Sequence, residues 1–545
     1  MSVAQARHDD PVWARARSAL SPALPRLALL DSLLAALLTA LAAWVRLDTL
    51  QLVPSFTDEI GEIQFANEIA TGHILPIVSK DTYMGPLYHY LLAAGLWAGG
   101  DATWPRTFSM LLGALTVGLT YFLGVSLAAL YRPGAPARAR LAGLIAAALM
   151  TVSFVPVVVN SHIAWSNTTS PFWATLFFLA VSETVRRNNP RLLLLDAILG
   201  GLALQTHPSV VVFVLGAAVW LVAMRPAWLR TRWPWLAVVV GALSIANLIG
   251  YTLASGGQSI ALASSRNYAW SSSLTIGAYL QNARGFLLTA YEIVGSTFPR
   301  ALPPEAAILL SPMLVVYGAL GIAALLVTTR RAGLPLALWL AALALIPIFN
   351  RRYEAYIEGR YLAPLLPPTF AAVGILLASG LLAWGSAPRR RLGRAAAVAS
   401  AAAIALCLAY SLARLDQYYA YQMAAGYSNA RLWQVIEAVN ESKQDGSMVL
   451  VDRGLKDLRN GNGVNVYRLL DGLLELERTG TDKQRVEKLP SAPVGAYMIL
   501  TDEQRDALAG ALNLEPLDVG TPPAVAEPGA YWVYRVRAHL SSAAP

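Results

Sequence analysis

Cysteine is nearly missing from this chain: among 545 residues there is one, Cys407, and it sits inside an apolar run. A single thiol excludes an intramolecular disulfide and a cysteine-ligated metal site. Loops outside the bilayer must then hold their shape by packing alone. Charge is scarce as well. Only 14% of residues are charged, against about 25% in ordinary soluble domains. Hydrophobic residues make up 56% and the mean hydropathy is +0.48, so the chain reads as an integral membrane protein. No P-loop, GxGxxG or GxSxG context is present, so ATP-driven chemistry is not implied. The net charge of +9 invites a nucleic-acid reading. Its placement argues against one, because most arginines lie in short loops between apolar runs and no basic patch with interleaved aromatics stands out.

What is present is a series of long apolar segments. Runs near 27–46, 107–130, 141–159, 171–185, 192–206, 208–224, 234–251, 306–328, 334–349, 361–384 and 395–412 suit helices that cross a bilayer, about eleven in all. The first run follows Arg7, Arg15, Arg17 and Arg26, and no small-residue cleavage site follows it. It reads as a retained first span and not as a signal peptide.

Arginine placement sets the expected orientation. The connections 1–26, 131–140, 186–191, 225–233, 329–333 and 386–394 carry 19 Lys/Arg in 65 residues. The opposite set, 46–106, 160–170, 206–208, 252–305 and 350–360, carries 9 in 140. The positive-inside rule makes the first set cytoplasmic. The segment 86–98 is apolar but too short to span, and reads as a helix in the outer interface. The competing reading is a short second crossing that would invert every later loop. The expected organisation is a cytoplasmic tail (1–26), a transmembrane domain (27–412) with outer loops 47–106 and 252–305, and an extracytoplasmic C-terminal domain (413–545). In that last part, 428–442 has helical periodicity, and 447–452, 496–502 and 531–537 read as strands, so a small α/β domain is expected.

The unusual residues collect in the outward loops. Asp58, Glu59, Glu62, Lys80, Asp81, His89, Asp101 and Arg106 fall in the first. His162, Trp165 and Asn167 fall in the next, and His207 in a tight turn. Arg266, Arg284, Glu292, Arg300 and Glu305 follow, and the last loop runs NRRYEAYIEGRYL from Asn350. Cytoplasmic loops after residue 130 carry no carboxylate, so any active site faces outward. Charged groups at a membrane edge are costly unless paired or functional. Asp58 is the best placed general base for an acceptor hydroxyl, with a solvated loop acid as the bland alternative. Glu59 would point elsewhere on a helix, as a supporting or metal-orienting group. Arg360 and Arg106 each open a span, where a guanidinium can bind phosphate bidentately or simply snorkel to the interface. His73, His89, His162 and His207 show no HExxH-like spacing, so a zinc site is weakly indicated.

In order along the chain, Arg46, Asp58-Glu59, Ala70-Thr71-Gly72, Pro86-Leu87-Tyr88-His89-Tyr90, Arg106 and Arg360-Tyr361-Leu362 with Pro364 and Pro367 resemble the GT-C superfamily of membrane glycosyltransferases. The branch is that of prokaryotic protein O-mannosyltransferases and aminoarabinose-transferase-like enzymes. The likeness covers 40–130 and 350–370. Each motif alone is weak, and their order is what is specific. One departure is Met84-Gly85 before the first proline, where some relatives have a lysine; Lys80 lies five positions upstream of Gly85. The second proline of a Pro-Pro pair is also missing.

The resemblance implies a GT-C-like, mainly α fold in the plasma membrane of a prokaryote. It implies transfer of a sugar from a polyprenyl-phosphate donor to a hydroxyl of a lipid, glycan or protein on the outer side, with inversion. The expected site has Asp58 and Glu59 as catalytic residues, and Arg360, Arg106 and Tyr361 on the donor phosphate. Lys80, Tyr83, Tyr88, His89 and His207 are the further substrate-binding candidates. No cofactor is required, and a divalent metal stays open. A transporter or flippase of lipid-linked glycans would use the same residues for binding without reaction. Polar residues crowd one surface while the spans are mostly clean, which favours the enzyme.

Overall fold

A computed structural model describes residues 23–261, 275–296, 311–329, 331–349, 356–385, 390–424, 430–442, 448–458, 464–474, 491–519 and 531–540. The chain is mainly helical. The first span is α1 (Ala23–Leu47), followed by two helices of the first loop, α2 (Thr57–Ala70) and α3 (Leu87–Trp97). Then come α4 (Trp104–Tyr131), α5 (Pro136–Val152), α6 (Ser170–Arg187), α7 (Leu193–Thr206) and α8 (Val210–Met224). The series continues with α9 (Arg232–Ser244), α10 (Ala246–Ala254), α11 (Ile276–Val294), α12 (Ser311–Thr328), α13 (Leu334–Phe349), α14 (Leu366–Leu381) and α15 (Arg390–Ala424). Prolines open α4, α5, α6 and α14, where a missing N–H costs nothing. Asn188, left-handed at φ 51°, ends α6.

Each of the eleven apolar runs coincides with helix in its described part. Their lengths differ from the expectation. Among the described residues, four helices are long and apolar enough to cross a membrane: Leu29–Leu47, Trp104–Tyr131, Ala363–Trp384 and Arg391–Ala424. Two further runs are bent pairs, 63° between Pro136–Val152 and Val155–His162 and 62° between α9 and α10, which would make six. Val210–Met224, Val315–Thr328 and Leu334–Ile348 are apolar but shorter. The segment expected at the interface is the 11-residue helix α3.

The membrane core forms around α4, which packs on α1, α5, α6 and α14. Close approach depends on small residues, as it does where lipid removes the hydrophobic drive between helices. A Cβ added at Gly374 of α14 would lie 2.2 Å from the Ala142 carbonyl oxygen of α5. A Cβ added at Gly124 of α4 would lie 2.8 Å from the Gly143 Cα.

The C-terminal residues form a four-stranded sheet in the order β1 (Val449–Val451), β2 (Tyr497–Thr501), β4 (Tyr531–His539), β3 (Leu512–Pro516). β1 and β2 are parallel and the other pairings antiparallel, with a bulge at Asn513/Leu514. The helices α16 (Ala430–Ser442) and α17 (Val466–Leu474) cover one face and α18 (Asp502–Leu508) follows β2. The strands expected from 447–452, 496–502 and 531–537 are present; β3 was not expected. One apolar cluster joins Ile60, Ile63 and Ile69 of α2 and Tyr88 and Leu92 of α3 to Leu432, Ile436, Leu470 and Tyr497. The sheet and the first loop therefore share a core. Tail residues 1–22 and residues 262–274 and 297–305 of the loop 252–305, with Arg266, Arg300 and Glu305, lie outside the described residues, as do Asn350, Arg351, Arg352 and Glu354.

Gly374→Ala should lower the melting temperature of the purified protein, because overpacking against backbone costs about 1–3 kcal/mol. Gly250→Ala in α10, where a Cβ meets nothing within 4 Å, should leave it unchanged or raise it. Equal responses of the two variants would contradict the helix crossing described.

Candidate active site

The geometry starts at the N-terminus of α2. Its capping box sets the register: the Glu59 side chain accepts the Phe56 backbone N–H at 3.3 Å. Glu59 is buried and bonded to Arg106 at the start of α4, Nε to Oε1 at 2.9 Å and Nη2 to Oε2 at 3.1 Å. Arg106 also donates through Nη1 to the carbonyls of Leu50 (2.7 Å) and Val53 (2.8 Å) and through Nη2 to Ser55 Oγ (2.8 Å). All five of its N–H groups are engaged within the protein. The phosphate contact expected of Arg106 has no N–H left to make it.

Asp58, one residue earlier, is exposed on the first turn. Among the described residues its carboxylate makes no hydrogen bond or ion pair. Lys80 Nζ approaches the Asp58 backbone carbonyl at 3.4 Å. The ammonium fits there because residue 61 is glycine: a Cβ would meet Lys80 Nζ at 2.4 Å. One turn on, Glu62 is buried and contacts His89 Nε2 at 2.7 Å, and Ser166 Oγ donates to it at 3.3 Å. Burial would raise this carboxyl, but His89, Lys80 and Ser166 together hold it below its usual range. Tyr88 and His89, expected to touch substrate, are fully buried; His89 packs edge-on against Phe65, and Tyr88 against Phe108. Burial, then the Glu62 charge, pushes the Tyr88 hydroxyl up, so it stays protonated. Tyr83 is half-buried.

A second group surrounds Arg360. Its guanidinium lies over the Trp165 ring at 4.2 Å and the Tyr361 ring at 4.4 Å, and Nη2 donates to the Tyr361 hydroxyl at 2.8 Å. His207, in the turn between α7 and α8, stacks at 5.2 Å from Tyr361. Burial and then the Arg360 charge hold His207 down at about 3, so its ring is neutral at physiological pH.

The short segment 163–166 links the two groups. Its Ala164 N–H donates to Glu59 at 3.1 Å, Ser166 reaches Glu62, and Trp165 carries Arg360. Asp58, Glu59, Lys80 and Arg106 thus form one cluster and Arg360, Tyr361 and His207 another, on two sides of one hub. Among the described residues no three His, Cys, Asp or Glu side chains converge as a metal site.

Residues 84–250 match the family model of dolichyl-phosphate-mannose-protein mannosyltransferases. The chain resembles the GT-C membrane glycosyltransferases. Curated proteins give no match. Among solved structures, ArnT from Cupriavidus metallidurans bound to undecaprenyl phosphate is similar at 15% identity and a TM-score of 0.45, over 94% of this chain and 99% of that one. The same protein in its apo state is similar at 14% identity and a TM-score of 0.48, over 92% and 97%.

In this GT-C-like chain three supports escaped the sequence reading. Arg46, at the end of α1, is fully buried, and its Nη1 donates to Ala42 O (2.8 Å) and Thr151 O (3.1 Å). Its Nε donates to Ser161 Oγ (2.9 Å). It thereby serves a carbonyl left open where the bent span breaks after Val152. Trp165 was noted only as a loop aromatic and is the platform under Arg360. Glu62 was noted only as a loop acid and is paired with His89. A polar run, Trp165 to Ser170, between two apolar helices was the available signal for the hub.

Breaking one partner of a buried ion pair costs about 3–5 kcal/mol. Arg106→Lys keeps the charge but offers three donors for five bonds, so it should lower folded yield and melting temperature nearly as much as Arg106→Gln. If Arg106→Lys proves as stable as wild type and only donor affinity falls, the structural role is wrong.

Proposed function

We propose that this protein transfers a sugar from a polyprenyl-phosphate carrier to an acceptor hydroxyl, at the end of the bundle that carries α2. The observation that carries this reading is the mannosyltransferase family match over 84–250, on a helical bundle whose α2 presents the Asp58 carboxylate exposed on its first turn. Asp58 takes the proton as the acceptor oxygen attacks the anomeric carbon. The new carbon–oxygen bond forms as the bond to the carrier phosphate breaks, and the electron pair leaves with the phosphate. A single displacement of this kind inverts the anomeric centre. Arg360, held on its aromatic platform, steadies the departing phosphate, and Tyr361 orients the guanidinium. Lys80 contributes positive charge beside Asp58. Glu59 and Arg106 position Asp58 and do not touch substrate. The isoprenoid tail stays in lipid, which is why the site belongs at a bilayer edge.

Asp58→Asn should fold normally and lose about 10²–10⁴-fold in transfer. Arg360→Lys keeps charge without the fork and should retain partial activity, whereas Arg360→Ala should retain very little. Turnover of a polyprenyl-phosphate sugar at the wild-type rate by Asp58→Asn would sink the base assignment. Wild-type binding and turnover by Arg360→Gln would sink the phosphate role and favour a transporter.

The proposed orientation has the N-terminus cytoplasmic, and α2, α3 and the sheet outside, in a prokaryotic plasma membrane crossed about eleven times. Glu441 is exposed at the end of α16. A cysteine there, in a Cys407→Ala background, should react with an impermeant maleimide in intact cells. Reaction only after lysis would reverse the orientation.

A further inference from the structure

At the other end of the bundle from Asp58 lies a second polar cavity, of about 600 Å³. α4 has 28 residues, roughly 42 Å at 1.5 Å per residue. Arg106 begins this helix and Tyr131 ends it, so the cavity and the candidate active site are separated by the thickness of the protein. Four chain segments meet there. Tyr131 and Arg132 come from the end of α4, Arg138 from the first turn of α5, Arg331 from the turn between α12 and α13, and Ser379 and Leu382 from the end of α14.

Three guanidiniums line this space and, among the described residues, no carboxylate does. Arg140, two residues from Arg138, shows what a satisfied arginine looks like here: its Nε meets Asp31 at 2.7 Å. Arg132, Arg138 and Arg331 have no such partner among the described residues. Arg138 is half-buried, and its Nε is enclosed with no hydrogen-bond partner. Like charges brought together by three segments repel one another, and an enclosed guanidinium N–H without a partner is costly. A bound anion removes both penalties. Positive-inside topology alone asks only for arginines in loops, and does not ask that they converge on one cavity.

The cavity is also amphipathic. Leu382 lines it and is 46% exposed, and Trp384, two residues on, is 54% exposed. An apolar rim beside a cationic interior suits a ligand with a phosphate head and a hydrocarbon tail. We propose that this cavity binds the phosphate head group of a membrane lipid, separately from any donor bound near Arg360. Guanidinium forks suit phosphate oxygens, and Ser379 and Tyr131 add hydroxyls at the wall.

The full-length protein, purified in a neutral detergent, tests this. Phosphatidylglycerol should raise its melting temperature and remain attached in native mass spectrometry, whereas phosphatidylcholine should do neither. The triple variant Arg132→Gln/Arg138→Gln/Arg331→Gln should bind phosphatidylglycerol at least about tenfold more weakly, since several charge-assisted bonds are lost. A control variant, Arg191→Gln/Arg230→Gln/Arg232→Gln, removes three exposed arginines from other loops and should bind as wild type does. Arg138→Gln alone, the mildest change, should already weaken binding if the triple variant fails to fold. Equal weakening in the control would reduce the effect to general surface charge and overturn the proposal. Protection by inorganic phosphate at the same concentrations as the lipid would overturn the lipid assignment.

Discussion

The buried pair of Glu59 and Arg106 is the constraint on which the end of the bundle that carries α2 depends. Removing two charges from water costs several kcal/mol each, and the interior repays this only when every remaining donor and acceptor is bonded. That condition is met in detail. Arg106 holds the carbonyls of Leu50 and Val53 and the Ser55 hydroxyl as well as Glu59, and Glu59 also accepts from Phe56 and Ala164. One ion pair thus joins the exit from α1, the start of α2, the start of α4 and the hub at 163–166. It also decides where Asp58 points. Adjacent helical residues differ by about 100°, so locking Glu59 inward turns Asp58 outward. The two carboxylates sit side by side in sequence and have opposite fates for that reason.

A second buried arginine does related work one layer deeper. Backbone that leaves the helix at membrane depth must find partners for its freed groups inside the protein. The bend after Val152 frees carbonyls, and Arg46 supplies N–H groups to them while bonding Ser161 beyond the break. The break in turn lets 160–170 fold back as a polar hub in place of a continuing helix. His162 is held there by Thr49 at 2.8 Å and by the Val157 carbonyl at 2.6 Å. Trp165 then presents its face to Arg360. The sequence of dependence runs from Arg46 to the bend, from the bend to Trp165, and from Trp165 to the guanidinium proposed to meet phosphate.

The helices were legible because hydropathy is a local property. Every apolar run became helix where it is described, and even the interfacial α3 falls where a run too short to span was noticed. Lengths were less legible, since the two bends and the short α7, α8 and α13 depend on which neighbours accept an open carbonyl. The order of motifs picked out positions that the fold gathers into two clusters, while the contacts of those positions could not be read from it. Arg106 and Arg360 looked alike in sequence, each a cation opening a span. Only long-range contacts separate them, because residues 50–59 fill the coordination of Arg106 while Arg360 lies over the rings of Trp165 and Tyr361. Tyr88 and His89 looked like interfacial aromatics, but α3 turns both into the core shared with the C-terminal sheet. The strand Leu512–Pro516 was missed because LNLEP has no β-branched residue and owes its state to pairing with β4.

The two ends of the molecule differ in which of their charges are paired, and the difference has a chemical sense. The proposed base, Asp58, is exposed on α2, where Glu59 is held by Arg106 and Glu62 by His89. A phosphate site needs the reverse, cations with no acid in reach to occupy them. Arg360 rests on the Trp165 and Tyr361 rings, and the arginines at the far end of α4 line a cavity to which no carboxylate contributes among the described residues. If the proposed roles hold, proton chemistry and phosphate binding are kept apart by which charges the fold pairs, with neither a disulfide nor a cysteine-ligated metal.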